Sequence, residues 1–279
     1  MEMKVNFLHD QGTADASEDG LIFYPPRLFG VTDGVSGVYL PEEDPKLFDG
    51  KTGGQLTSQT ICAFVFDMFD KDLATPLKHA NIKLSEYIIA NHVNVEDSAF
   101  APGACFVVAR IDNEEIEIIQ GGDCMAVWEY RNGEVMGIAH QNYQYEQFLL
   151  DTIEELMKKH NGDKSKMWAE FRPILIEKRR AYYNKPDGIC ILNGQPTFAE
   201  FWQQGMIGRI SLKTLLLFSD GFVDFLWTES ADGLATRVMD YYRQGGLQSV
   251  LSETREWADQ KISKTHEDYQ EATAIAIEF

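Results

Sequence analysis

Four short segments place an acidic residue at a glycine-bearing break beside an apolar run: Ser17-Glu18-Asp19-Gly20, Val31-Thr32-Asp33-Gly34, Gly121-Gly122-Asp123-Cys124 and Phe218-Ser219-Asp220-Gly221, the last followed by Asp224. One Asp-Gly pair reads as a turn, because glycine supplies positive φ and aspartate bonds to its own backbone. Four such pairs, each next to a hydrophobic stretch, imply more. Carboxylates carried to one place by several strand ends form a hard oxygen cage of the kind that holds Mg²⁺, Mn²⁺ or Ca²⁺.

Such a cage needs strands to position it, and the hydrophobic pattern supplies them. Leu21–Tyr24 and Arg27–Thr32 flank Pro25-Pro26 and read as a hairpin that brings Glu18-Asp19 towards Asp33-Gly34. Phe106–Ile111, Ile116–Ile119 and Met125–Tyr130 read as consecutive strands, with Asp123 in the second gap. Thr214–Ser219 is a buried strand that ends at Asp220, and Ala272–Phe279 alternates as a final strand with one face buried. Helical periodicity marks 54–70, 73–91 and 146–159, with a short helix at 198–204 and two more helices at 233–244 and 247–264. Residues 160–213 carry the weakest pattern. The N- and C-terminal acidic motifs must meet, which favours one domain over two.

Composition narrows the function. The 279 residues suffice for a sizeable core, and 44 acidic against 25 basic residues give a net charge of −19. That balance argues against nucleic acid or an anionic membrane as partner, since both require a basic footprint. No apolar run approaches the roughly 20 residues needed to cross a bilayer. The N-terminus lacks the apolar core of a secretory signal, so a cytoplasmic location is expected. Cys62, Cys105, Cys124 and Cys190 form no C-x-x-C pair, which argues against structural zinc.

In order, these segments resemble the metal-dependent Ser/Thr protein phosphatases of the type 2C family, in a divergent bacterial form. The counterparts of the family motifs are Ser17-Glu18-Asp19, Val31-Thr32-Asp33-Gly34-Val35-Ser36-Gly37, Gly122-Asp123-Cys124, Ser219-Asp220-Gly221-Phe222-Val223-Asp224 and Gln270-Glu271-Ala272-Thr273. Gly54–Gln59 is similar to the family's helix opening, and Pro102–Cys105 to its Gly-Thr-Thr turn. The resemblance spans about the whole chain, with a family-variable insert around 140–213.

It implies an α+β fold, a four-layer αββα sandwich of two antiparallel sheets flanked by helices. It implies two Mn²⁺ or Mg²⁺ ions, or three, and a phosphorylated protein as substrate. Asp33 and Asp220 would be the principal ligands and catalytic residues, with the Gly34 carbonyl beside them. Asp19 would hold one ion, with Glu18 acting through water, while Asp123 and Asp224 would hold a weaker third with Asp220. In the implied mechanism a metal-bridging hydroxide attacks phosphorus in line.

Two departures stand out. The family's late aspartate falls at Gln270, so Asp268 or Glu271 would have to take its place. The stretch 12–17 also lacks the arginine that many relatives use to clamp phosphate. Arg179, Arg180 and Lys185 from the insert are the candidate replacements. These departures keep two alternatives open: a weak or inactive regulatory module, and a small-molecule phosphomonoesterase.

Overall fold

The computed structural model describes residues 3–39, 46–138, 141, 143–223, 231–262 and 269–279. Two five-stranded antiparallel sheets face each other. The first has the order β1 (Lys4–Asp10), β10 (Ala272–Glu278), β9 (Leu212–Phe218), β6 (Met125–Tyr130), β7 (Val135–Ile138). The second runs β2 (Gly20–Tyr24), β3 (Leu28–Val35), β4 (Gly103–Ile111), β5 (Glu115–Gly121), β8 (Gln203–Gly208).

Between the sheets lies a core that includes Phe29, Val31, Ile118, Leu217 and Ile275. Full burial of each such side chain contributes about 1.5–3 kcal/mol. Helices α1 (Gly53–Phe64) and α2 (Ala74–Ala90) cover the outer face of the second sheet through Leu56, Ile61, Leu77 and Leu84. On the first sheet the covering helix is α5 (Ala231–Ile262), which packs through Val238, Met239 and Val250. The result is the αββα sandwich expected from the motifs.

The final strand corrects one expectation. Both faces of β10 are buried: Ile275 and Ile277 enter the core between the sheets, while Ala274 and Ala276 lie under α5. The alternation was real, but it distinguished two buried faces by side-chain size. A helix can approach a sheet closely where the residues beneath it are small.

The expected break between helices at 233–244 and 247–264 is present within α5, at Gly245 and Gly246, whose φ values of −163° and 72° are non-helical and divide it into two helices. The helix at 198–204 is overturned. Pro196–Glu200 is a 3₁₀ turn, and from Gln203 the chain enters β8 and pairs with β5. The first helix stops at Phe64, short of 70.

Helices α3 (Tyr143–Lys159) and α4 (Lys164–Tyr182) form a pair in the insert. They pack through Leu156, Phe171, Leu175 and Ile176 against Val38 and Ala99, in the loops that follow β3 and α2. Among the described residues no helix is long and apolar enough to cross a membrane.

Candidate metal centre

Sheet register determines which acids meet. Asp33 sits within β3 opposite Cys105 of β4, and Phe106 pairs with Gly121 at the end of β5. The chain then crosses to the other sheet through Gly122-Asp123-Cys124, and Met125 of β6 pairs with Phe218 of β9. Asp220 follows β9 by two residues. Asp19 precedes β2, which pairs with β3 through Gly20 and Thr32. The carboxylates of Asp19, Asp33, Asp123 and Asp220 therefore gather at one end of the sandwich, where strands of both sheets finish. They are close enough for Asp19 and Asp33 to feel their acidic neighbours.

Glycines permit the close approach. A Cβ on Gly34 would lie 2.4 Å from the Gly54 carbonyl oxygen and 2.8 Å from that of Glu18. Gly122, at φ +78°, passes so close to Cys105 that a Cβ would meet its Sγ at 2.3 Å. Gln141, just before α3, fastens the same turn: its Oε1 accepts from the amides of Gly122 at 2.9 Å and Cys190 at 2.6 Å. No motif pointed to Gln141, because its partners are backbone amides far away in sequence.

Burial and like charge dominate the electrostatics here. Asp33 and Asp220 are in hydrogen-bond contact, and burial together with the charges of Asp220, Asp19 and Asp123 holds the Asp33 carboxyl well above the usual range. Burial pushes Asp19 up to about 7, against hydrogen bonds from Thr273 and Ser219 that favour its anion. Among the described residues, Asp123 Oδ1 is buried with no hydrogen-bond partner. The neighbouring thiols of Cys105 and Cys124 are raised by burial and by the same acids. A cleft of about 420 Å³ opens on this cluster, lined by Glu18, Asp19, Asp33, Gly34, Asp220, Gln270 and Glu271 among others.

An all-oxygen donor set, an unpartnered buried carboxylate oxygen and mutually repelling acids fit a hard divalent cation. The residues that could hold it are Asp19, Asp33, Asp123, Asp220 and the Gly34 carbonyl.

The other sequence candidates are placed differently. Glu18 lines the cleft, but its Oε1 accepts from Ser36 Oγ at 2.8 Å and from Thr52 Oγ1. Thr52 is also the N-cap of α1, in a capping box with Gln55. Glu18 thereby ties the site to the start of that helix. Glu271 turns its carboxylate to the segment before β2, where Oε2 accepts from the amides of Glu18 at 2.7 Å and Asp19 at 3.1 Å, and Oε1 accepts from Ser17 Oγ. That carboxylate holds the acidic loop in place. Gln270 lines the cleft. Asp224 and Asp268 lie outside the described residues.

Of the basic candidates, Arg180 makes a two-pronged pair with Asp97 at 2.9 and 2.6 Å. Lys185 is exposed, its carbonyl accepting from the Gly188 amide in a turn. Arg179 reaches the site region: it donates to the Ser36 carbonyl at 2.7 Å and stacks over Tyr183. Glu146 of α3 feels both Arg179 and Asp123, and burial pushes it up to about 8.

The arrangement defines a class: this chain has the fold of bacterial serine/threonine phosphatases. Three solved structures illustrate it. The phosphatase PstP/Ppp of Mycobacterium tuberculosis matches with a TM-score of 0.60 at 15% identity, covering 99% of this chain and 98% of that one. Stp1 of Staphylococcus aureus matches at 0.58 and 15%, over 100% and 96%. The catalytic domain of PstP in complex with two manganese ions matches at 0.58 and 16%, over 99% and 97%. The expected type 2C resemblance is thus borne out in fold. The sequence matches no protein-family model and no curated protein.

Proposed function

We propose that this chain is a metal-dependent phosphomonoesterase that hydrolyses phosphoserine or phosphothreonine in proteins. One observation carries the reading: Asp19, Asp33 and Asp220 line a cleft with Asp123 beside them, and burial and like charge disfavour the ionisation of Asp19 and Asp33 unless a cation is present. The likeness to phosphatases, one of them described with two manganese ions, supports it.

Divalent ions bound here would activate water near neutral pH and offset charge on phosphoryl oxygens. The chain's own contribution is positional. Asp33 and Asp220 face each other from different sheets and so set the spacing of whatever they hold. Asp19 is oriented by Ser219 and Thr273. The Gly34 amide donates to the Glu18 carbonyl at 3.2 Å, which fixes the acidic loop beside β3. No protein nucleophile is required.

Hydrolysis of a phosphothreonine peptide in the presence of Mn²⁺ tests this reading. We expect turnover that EDTA abolishes and that Asp33→Asn reduces by at least 10²-fold. Unchanged turnover in that variant rules the reading out.

A second reading is a non-catalytic module with the same fold. It is favoured by the use of Glu271 as a backbone cap and by Gln270 at the cleft. Mn²⁺ binding without turnover on any phosphopeptide would select it.

A further inference from the structure

We propose that β1 is a self-pairing edge: two copies of this chain join antiparallel through Lys4–Asp10, about a two-fold axis at Phe7. This pairing requires nothing of the phosphatase reading.

β1 closes one side of its sheet. Among the described residues its strand partner is β10 alone, met in an unbroken register from Lys4 to Asp10. The outer edge of β1 therefore presents backbone amides and carbonyls to solvent, a template for another strand. Natural edges are blunted by proline, by a bulge or by a lysine. β1 has no proline, and its continuous register leaves no bulge. It does carry Lys4, but the strand's own sequence holds a match for that charge.

When an edge strand pairs antiparallel with its own copy, a two-fold axis normal to the sheet puts one residue opposite itself. β1 runs Lys4-Val5-Asn6-Phe7-Leu8-His9-Asp10, so the axis that uses its full length falls on Phe7. Lys4 then faces Asp10 of the second copy, and the symmetry repeats that contact at the other end. Opposite charges directly across a strand pair stabilise it. No other antiparallel register of β1 on itself opposes these two residues.

Side-chain placement agrees. Alternation puts Lys4, Leu8 and Asp10 on one face of the strand. That face turns to α5, where Leu8 packs on its core and Asp10 lies 3.6 Å from Arg255. Both end charges still reach solvent, Lys4 at 69% and Asp10 at 38% exposure.

On the other face Phe7 is 60% exposed, although large and apolar. It is held from within the chain. Its ring stacks on Phe23 of β2 at 5.7 Å, and Phe23 meets buried Phe29 edge-on at 5.7 Å. An aromatic already fixed by its neighbours loses little freedom on docking, which suits an interface anchor. Across the axis the two Phe7 side chains would meet with Cβ atoms about 4.5–5.5 Å apart.

Sedimentation of the full chain tests the pairing. Salt at about 0.15 M limits repulsion between two chains of net charge −19 by screening within about 8 Å. We expect a monomer–dimer equilibrium as concentration rises from about 1 μM to about 1 mM. Lys4→Glu should weaken it by about tenfold, because like charges then oppose at both ends. With oxidised glutathione, Phe7→Cys should form a disulfide-linked dimer. Asn6→Cys, which would face Leu8 of the second copy, should not. Melting temperatures check that the variants fold, and the measurement on the native chain needs no variant. A native chain that stays monomeric throughout would overturn the proposal. So would a dimer that Lys4→Glu leaves unchanged, or one that Asn6→Cys cross-links and Phe7→Cys does not.

Discussion

The Ser219 hydroxyl donates a 2.8 Å hydrogen bond to Asp19 Oδ2, joining the end of a strand in one sheet to the segment that enters the other. The same oxygen accepts from the buried Thr273 amide at 2.9 Å. Ser219 thus serves the acidic cluster and the β9–β10 pairing at once. Ser219→Ala leaves that amide without its partner, and a buried unsatisfied group costs about 1–3 kcal/mol. Urea denaturation of the metal-free protein should show a loss of this size, together with weaker Mn²⁺ binding.

Gly34→Ala should be more damaging than its size suggests. Its new Cβ would press on the carbonyls of Gly54 and Glu18, which are backbone atoms of two different elements. Overpacking of this kind costs about 1–3 kcal/mol and would shift Asp33 next door. Gly205→Ala in β8, where the nearest atom is 4.0 Å away, is the matched control. Melting temperatures should fall for the first and hold for the second.

Much of the site is legible from the sequence because its acidic residues sit at or near strand ends, where Asp, Gly and apolar runs coincide. Asp33, Asp123 and Asp220 are of this kind. The role of Glu271 was not legible: its partners are the backbone amides of Glu18 and Asp19, and amides leave no signature in side-chain identity. Gln141 escaped for the same reason.

The fold follows the same division. Strands such as Met125–Tyr130 are bounded by turn residues and stand out. In β8, Gly205 and Gly208 interrupt the hydrophobic alternation, so its pairing with β5 becomes visible only in three dimensions. In α4, Pro173 lies inside the helix and obscures a pattern that Met167, Phe171 and Leu175 otherwise carry.

The raised carboxyls predict an unusual pH dependence without metal. A carboxyl whose folded pKa exceeds its unfolded value binds more protons when folded. Its contribution to stability is full below the unfolded pKa, near 4, and is lost as pH rises through the folded value. For Asp19 that window runs from about 4 to about 7, and Asp33 acts in the same direction. The melting temperature in EDTA should therefore fall between pH 5 and 8. Added Mn²⁺ should reverse the fall. Asp33→Asn, which removes one buried charge, should raise the metal-free melting temperature at pH 8. A metal-free protein that gains stability over this range would contradict the assigned repulsion.

Protons and metal compete for the same oxygens, so Mn²⁺ affinity should strengthen from pH 6 to pH 8. Calorimetric titration at both values checks the sign, and an affinity independent of pH would place the ion elsewhere.

The role proposed for Asp33, with Asp19, Asp123 and Asp220, is to hold divalent cations. Calorimetric titration of Mn²⁺ into the metal-free protein at pH 7.5, native against Asp33→Asn, tests it most directly. Two bound ions are expected in the native protein and loss of at least one in the variant, with the fold intact by circular dichroism. No binding to the native chain, or identical binding to both, would contradict it.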